Sequence, residues 1–258
     1  MPITCKQPLA TMPLRLNAGH QVLANNNSAQ MHVTVIIPAK DEALAIGAVI
    51  SALQALTLSG QPLIDHIIVV DNASTDNTAA IASNSGATVV FEACPGYGSA
   101  CMAGIGAIGT TDVVLFVDGD HSCNYADIPA LFIAMDEGAD LVIGSRSLGF
   151  IEPRAMTLTQ RWGTALMCRL IQYRTGIAIT DLGPLRIIRY DKLLELDMRD
   201  RRFGWTAEMQ VKAYGKGWHV MEVPTTLRAR VGQSKISGTW RGTILAAHDL
   251  LRAVLFNA

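Results

Sequence analysis

The chain has 258 residues, half of them hydrophobic and 17% charged, with a net charge of −1. That length suits one large α/β domain, and the near-neutral charge excludes a general nucleic-acid binder. Five cysteines without Cys-x-x-Cys spacing argue against structural zinc and for a reduced, cytoplasmic setting. Mean hydropathy is high at +0.27, yet no stretch reaches the roughly 18–20 apolar residues of a membrane span.

Residues 1–30 are polar and irregular, include Asn25-Asn26-Asn27, and read as a loose tail without the features of a signal peptide. Residues 33–37 predict a strand stopped by Pro38, and 41–56 have helical spacing with Ala43, Ile46, Val49, Ile50 and Leu53 on one face. Residues 64–70 predict a second strand; capping side chains from Asn72 to Thr78 then open a helix to about Ser85. A third strand at 88–91 is followed by the turn Pro95-Gly96-Tyr97-Gly98 and a helix to about Ile108. Residues 113–117 form a fourth apolar strand, broken at Asp118-Gly119-Asp120; a helix at 129–136 and a fifth strand at 140–144 follow.

Strands alternating with helices predict a doubly wound, mainly parallel sheet, whose ligands sit outside the carboxyl ends of the strands. Pro38 to Glu42, Asp71, Gly96 to Gly98, Asp118 with Asp120, and Ser145-Arg146 all fall on that rim. Beyond residue 150 the expected elements are an amphipathic helix at 157–173, a loop into a strand at 180–188, a helix at 203–214, a strand at 219–223 and a closing helix at 239–256. The first carries Leu158, Trp162, Leu166, Leu170 and Ile171; both terminal helices set apolar residues beside arginines (Arg161, Arg169, Arg241, Arg252). Such faces either complete a core or rest on a membrane, and the overall hydrophobicity favours the membrane. The expected organisation is a tail at 1–30, a catalytic domain at 31–238 and an amphipathic helix at 239–258.

Asp118 and Asp120 stand two apart at a strand end, so on extended chain their Cα atoms lie roughly 6–7 Å apart on the same side. Two such carboxylates repel unless a cation sits between them. A hard divalent ion, Mg²⁺ or Mn²⁺, does this and brings phosphate-bearing ligands with it. Gly119 removes a side chain that would block close approach of the ligand. Two other readings compete: carboxylates that merely cap a loop, and the phosphatase pattern Asp118-x-Asp120-x-Ser122 with the first Asp as nucleophile.

Val35-Ile36-Ile37-Pro38-Ala39-Lys40-Asp41-Glu42, Val70-Asp71-Asn72-Ala73-Ser74-Thr75-Asp76 and Val117-Asp118-Gly119-Asp120 resemble the inverting family 2 glycosyltransferases of the GT-A fold. Gly144-Ser145-Arg146, Thr180-Asp181-Leu182-Gly183-Pro184-Leu185-Arg186 and Arg230-Val231-Gly232-Gln233-Ser234-Lys235 bring the chain closest to the dolichyl-phosphate mannose synthase or polyprenyl-phosphate glycosyltransferase branch. The resemblance covers residues 33–235 and demotes the phosphatase reading. It implies a UDP- or GDP-hexose donor. Asp71 would accept the ring N–H of uracil or guanine, with Pro38, Ala39 and Glu42 framing base and ribose. Gly98 would present a backbone N–H, Asp118 and Asp120 would hold the metal beside Gly119, and Arg230 with Lys235 would close a basic loop over the diphosphate.

On the acceptor side the resemblance implies that Arg146 steers a phosphate, with Arg161 assisting. Asp181 orients the acceptor or serves as base. Glu208 is a second candidate base, and otherwise a structural partner of Arg228 or Arg230. Three departures stand out: Tyr97 replaces a lysine of the Gly-x-Gly turn, the Asp181–Arg186 segment lacks the usual Gly-Phe, and trailing transmembrane helices have no counterpart. The expected activity is transfer of a hexose to a polyprenyl phosphate, peripherally at the cytoplasmic membrane face. The alternatives are a soluble acceptor, or a nucleotide-sugar binder without catalysis.

Overall fold

A computed structural model describes residues 31–232 and 249–254. In chain order the elements are β1 (Val33–Ala39), α1 (Ile46–Gln54), the short strands β2 (Thr57–Leu58) and β3 (Gln61–Pro62), β4 (His66–Asp71), α2 (Thr78–Asn84), β5 (Thr88–Phe91), α3 (Tyr97–Gly106) and β6 (Val113–Phe116). Then come α4 (Ile128–Asp136), β7 (Leu141–Ser145), α5 (Leu158–Thr175), β8 (Arg186–Arg189), α6 (Tyr190–Glu195), α7 (Trp205–Gly215) and β9 (Val220–Pro224).

The main sheet runs β5-β4-β1-β6-β8-β7-β9. All neighbours are parallel except β8, which is antiparallel to β6 and β7. The central strands are apolar on both faces because both are covered, as parallel strands require. In β1, Val35 and Ile37 pack towards α1 and α4 while Ile36 joins Val70, Phe116, Trp205 and Met209 on the other side. A third cluster joins Met167, Cys168 and Ile171 of α5 to Ala207, Val211 and Tyr214 of α7 and to Ala253 and Val254.

The expected strands and helices recur with shifted ends. The first helix starts at Ile46, not at residue 41: Asp41 adopts a positive φ of 49° and the N–H groups of Ala45 and Ile46 both bond the Glu42 carbonyl. Those residues build a rim turn, and an aspartate tolerates that backbone region better than most side chains. The β2–β3 hairpin and α6 were not anticipated; the hairpin turns through Ser59 and Gly60, both at positive φ. Thr157 and Gln160 form a capping box at the start of α5. Of the expected closing helix, 249–254 are helical, while Arg241 lies outside the described residues. No helix among the described residues is long and apolar enough to cross a membrane.

Candidate functional site

The carboxyl ends of β1, β4 and β6 surround a cavity of about 360 Å³. Parallel register makes neighbours of motifs far apart in sequence: Ala39 lies opposite Asp71, and Ile36 opposite Phe116. Pro38, Ala39, Glu42, Asp118, Gly119, Asp120 and Arg230, all expected to meet the donor, line this cavity together with Lys40, Asn72, Tyr97 and Phe203. Asp71 is buried at the end of β4 and is not part of the lining; its Oδ1 accepts the Ser74 N–H at 2.9 Å. Its neighbour Asn72, read from the sequence as one of the helix-capping side chains, pins the opposite wall. The Asn72 amide donates to the carbonyls of Glu92 and Cys94 and accepts the Gly96 N–H.

The two carboxylates of the β6 end have different surroundings. Asp120 Oδ1 accepts the Ser122 N–H, and its Oδ2 lies 3.1 Å from Arg230 Nη2, which also approaches Glu42 Oε1 at 3.4 Å. Asp118 receives a hydrogen bond from Tyr97, while burial and then the charge of Asp120 push its carboxyl up to about 7 against the pull of Arg146 and Arg230. Among the described residues no three His, Cys, Asp or Glu side chains converge as a metal site. Asp118 and Asp120 would offer a divalent ion a pair of hard oxygen donors. A charge-unbalanced pair of this kind fits such an ion. Arg230 Nε is also buried without a partner, a spare donor suited to a phosphate oxygen. Gly119 lines the cavity, and a Cβ there would stand 3.4 and 3.5 Å from Ile37 and Ala39, at ordinary contact distance.

Arg230 is carried over the cavity by the segment after β9. Thr226 N donates to Asp127 Oδ2, Arg228 N to the Ser122 carbonyl, Arg228 Nη2 to Asn124 Oδ1, and Val231 N to the Asp120 carbonyl. Lys235, its expected companion, lies outside the described residues.

Two expectations are corrected here. Gly98 does not offer its N–H to a ligand; it donates to the Arg202 carbonyl at 3.1 Å. A Cβ on Gly98 would stand 2.0 Å from the Asp200 carbonyl oxygen, so the glycine serves loop packing. Glu208 is no candidate base, nor the partner of Arg228 or Arg230. It is fully buried, accepts the N–H groups of Arg199 and Asp200, and pairs with Lys212 Nζ at 2.8 Å. Its carboxylate holds the 199–204 loop against α3 and so sets Phe203 in the wall of the first cavity. Deleting it would strand buried donors at about 1–3 kcal/mol each.

A second cavity of about 380 Å³ opens between the β7 end and α5, lined by Arg146, Ser147, Ile151, Met156, Arg161, Thr164, Ala165, Thr180 and Asp181. Asp181 takes Arg146 in a fork: Nε to Oδ2 at 2.8 Å, Nη2 to Oδ1 at 2.7 Å, with the Arg146 N–H also on Oδ2. Burial disfavours the guanidinium charge, but the Asp181 bonds outweigh it and raise the Arg146 pKa. Three residues given no role by the sequence reading fix this fork. Glu222 accepts the N–H groups of Thr180 and Asp181, Gln210 donates to the Asp181 carbonyl, and buried Arg186 donates to the Gly183 and Thr206 carbonyls. Burial brings the Arg186 guanidinium down to about 10. Gly183 is needed at the bend, since a Cβ would lie 2.5 Å from the Gly144 carbonyl oxygen.

A helix-covered sheet that gathers a carboxylate pair and a locked guanidinium at one rim defines a group-transfer enzyme of the α/β class. Residues 34–196 match the model for glycosyl transferase family 2, and the chain belongs to that family. It is 38% identical over 225 residues to an uncharacterized glycosyltransferase of Mycobacterium tuberculosis, covering 86% of this chain and 97% of the relative. It is 27% identical over 205 residues to the dolichyl-phosphate hexose transferase of Haloferax volcanii, covering 79% and 86%. The fold matches a crystal structure of glucosyl-3-phosphoglycerate synthase from Mycobacterium tuberculosis in complex with Mn²⁺, UDP and phosphoglyceric acid, with TM-score 0.69, 23% identity and coverage of 88% and 78%.

Proposed function

We propose that this glycosyltransferase moves a hexose, with inversion, from a UDP- or GDP-sugar to a polyprenyl (dolichyl-like) phosphate at the cytoplasmic membrane face. The observation that carries this reading is the Arg146–Asp181 fork in the wall of the second cavity. Asp181 is the one carboxylate in that lining, and both of its oxygens are engaged. A sugar hydroxyl acceptor would need a free base, whereas a phosphate is already anionic near neutral pH and needs a cationic guide. Arg146 supplies that guide, with Arg161 across the cavity. The relative in Haloferax volcanii, named for dolichyl-phosphate hexose transfer, agrees.

On the donor side, Asp118 and Asp120 would hold Mg²⁺ or Mn²⁺, which when bound supplies Lewis-acid stabilisation of the departing nucleoside diphosphate. Arg230 then has a phosphate oxygen for its buried Nε. Tyr97 fixes the Asp118 carboxylate, and Phe203 covers the cavity. Arg146 also acts electrostatically on Asp118, so acceptor and donor charges adjoin, as a single in-line displacement requires.

A small soluble phosphorylated acceptor is the second reading. It is favoured by the modest size of the Arg146 cavity and by the phosphoglyceric acid in the similar synthase structure. Turnover of a panel of UDP- and GDP-sugars with Mn²⁺ separates them, with a short polyprenyl phosphate, with phosphoglycerate, or with neither. Turnover confined to the polyprenyl phosphate supports the first reading; turnover confined to phosphoglycerate replaces it with the second. Donor binding without turnover in any arm counts against both.

A further inference from the structure

Helix α5 has two unlike faces. Met167, Cys168 and Ile171 are buried against α7. On the other side Leu158, Trp162 and Leu166, spaced by four so that they stack along the helix, are 73%, 75% and 57% exposed. Phe150, in the loop that leads to α5, is 58% exposed. An exposed apolar stripe along a helix of a folded domain marks a contact surface.

The charge around it identifies the partner. From Pro153 to Thr180 the chain carries Arg154, Arg161, Arg169 and Arg174 and no aspartate or glutamate, although its net charge is −1. Arg161 and Arg169 are exposed and lie three residues beyond Leu158 and Leu166, so cations and apolar side chains alternate on one outward face. A two-fold contact with a second copy would set this face against itself, and the segment has no carboxylate to offset the facing arginines. An anionic bilayer meets both demands: Trp and Leu enter the interfacial layer while guanidinium groups meet lipid phosphates.

We propose that the outward face of α5, with Phe150, seats the protein on an anionic lipid bilayer. Arg161, Thr164 and Ala165 at the edge of this face also line the Arg146 cavity. Docking therefore places the cavity mouth at headgroup level, where a lipid-anchored phosphate reaches Arg146 without leaving the membrane. The purpose of the surface rests on the lipid-acceptor reading; the docking itself does not.

Flotation of the full chain with phosphatidylcholine vesicles, and with mixed phosphatidylcholine–phosphatidylglycerol vesicles, tests this with no polyprenyl phosphate present. The protein should float with the mixed vesicles and be released by salt. Arg169→Gln should weaken partitioning about fivefold, as expected for one interfacial arginine, and the double variant Trp162→Glu, Leu166→Glu should abolish it. All three positions are exposed, so thermal melts should match the parent. Absence of flotation by the parent, or flotation unchanged in the double variant, overturns the proposal. So does a dimer, seen by analytical ultracentrifugation, that the double variant dissolves. A short-chain, water-soluble polyprenyl phosphate tests the acceptor reading separately. Its turnover without flotation rejects docking alone, and flotation without turnover of any polyprenyl phosphate rejects the acceptor alone.

Discussion

The proposed donor and acceptor cavities share a rim but balance charge in opposite ways. On the donor side Asp118 and Asp120 adjoin, and Arg230 is shared between Asp120 and Glu42. On the acceptor side Asp181 and Arg146 satisfy each other through a two-pronged fork. An unbalanced carboxylate pair draws in a cation, whereas a closed pair fixes a direction. Metal dependence and acceptor orientation should therefore be separable by mutation.

The strongest test of that separation is Asp120→Ala. It should lower Mn²⁺-dependent affinity for the nucleoside diphosphate by more than about a hundredfold, beyond the effect of losing an outer partner. Unaltered metal-linked affinity by calorimetry would show that the carboxylate pair is not the metal site. Asp181→Asn should leave that affinity intact and reduce kcat/KM by about a hundredfold, the scale of a misplaced positioning group. A parallel fall in nucleotide affinity would mean that the two sides are one unit.

A third test uses pH. The Asp118 carboxyl is held at about 7 in the folded, metal-free chain, above its ordinary 3.8. The folded state therefore binds that proton more tightly than the unfolded one, and metal-free stability falls as pH rises from about 4 to about 7. Metal must displace the same proton, so Mn²⁺ affinity should rise by about tenfold per pH unit below 7 and level off above it. A flat profile in calorimetry would place the metal elsewhere. Tyr97→Phe, which removes the hydroxyl on Asp118, should weaken Mn²⁺ binding by about tenfold with the acceptor KM unchanged. An acceptor effect as large would blur the comparison. Gly119→Ala should change donor affinity by less than about twofold, since its Cβ would meet Ile37 and Ala39 at ordinary contact distance. A large loss would restore the clearance argument.

The donor side was legible because its chemistry sits at strand ends. Each apolar run that stops at a polar residue marks both a strand and a rim position, as at Asp71 and Asp118. The acceptor side was legible only as isolated residues, Arg146 and Asp181, because the groups that lock them, Glu222 and Gln210, come from β9 and α7. Gly98 and Glu208 were misassigned for the same reason. Apart from Lys212 beside Glu208, their partners are backbone groups of the 199–202 loop, and a backbone N–H or carbonyl has no signature in a sequence.

Local periodicity and the alternation of apolar runs with polar breaks were enough to determine an α/β sheet, its polar rim and the acidic strand end. These depend on residues a few positions apart, where pleat and helix geometry are fixed by covalent structure. Tertiary structure alone decided the antiparallel course of β8, the fork that aims Arg146, and the outward turn of Leu158, Trp162 and Leu166. An amphipathic pattern states that a helix has two faces, but which one is buried depends on what α7 and the C-terminal helix bring against it.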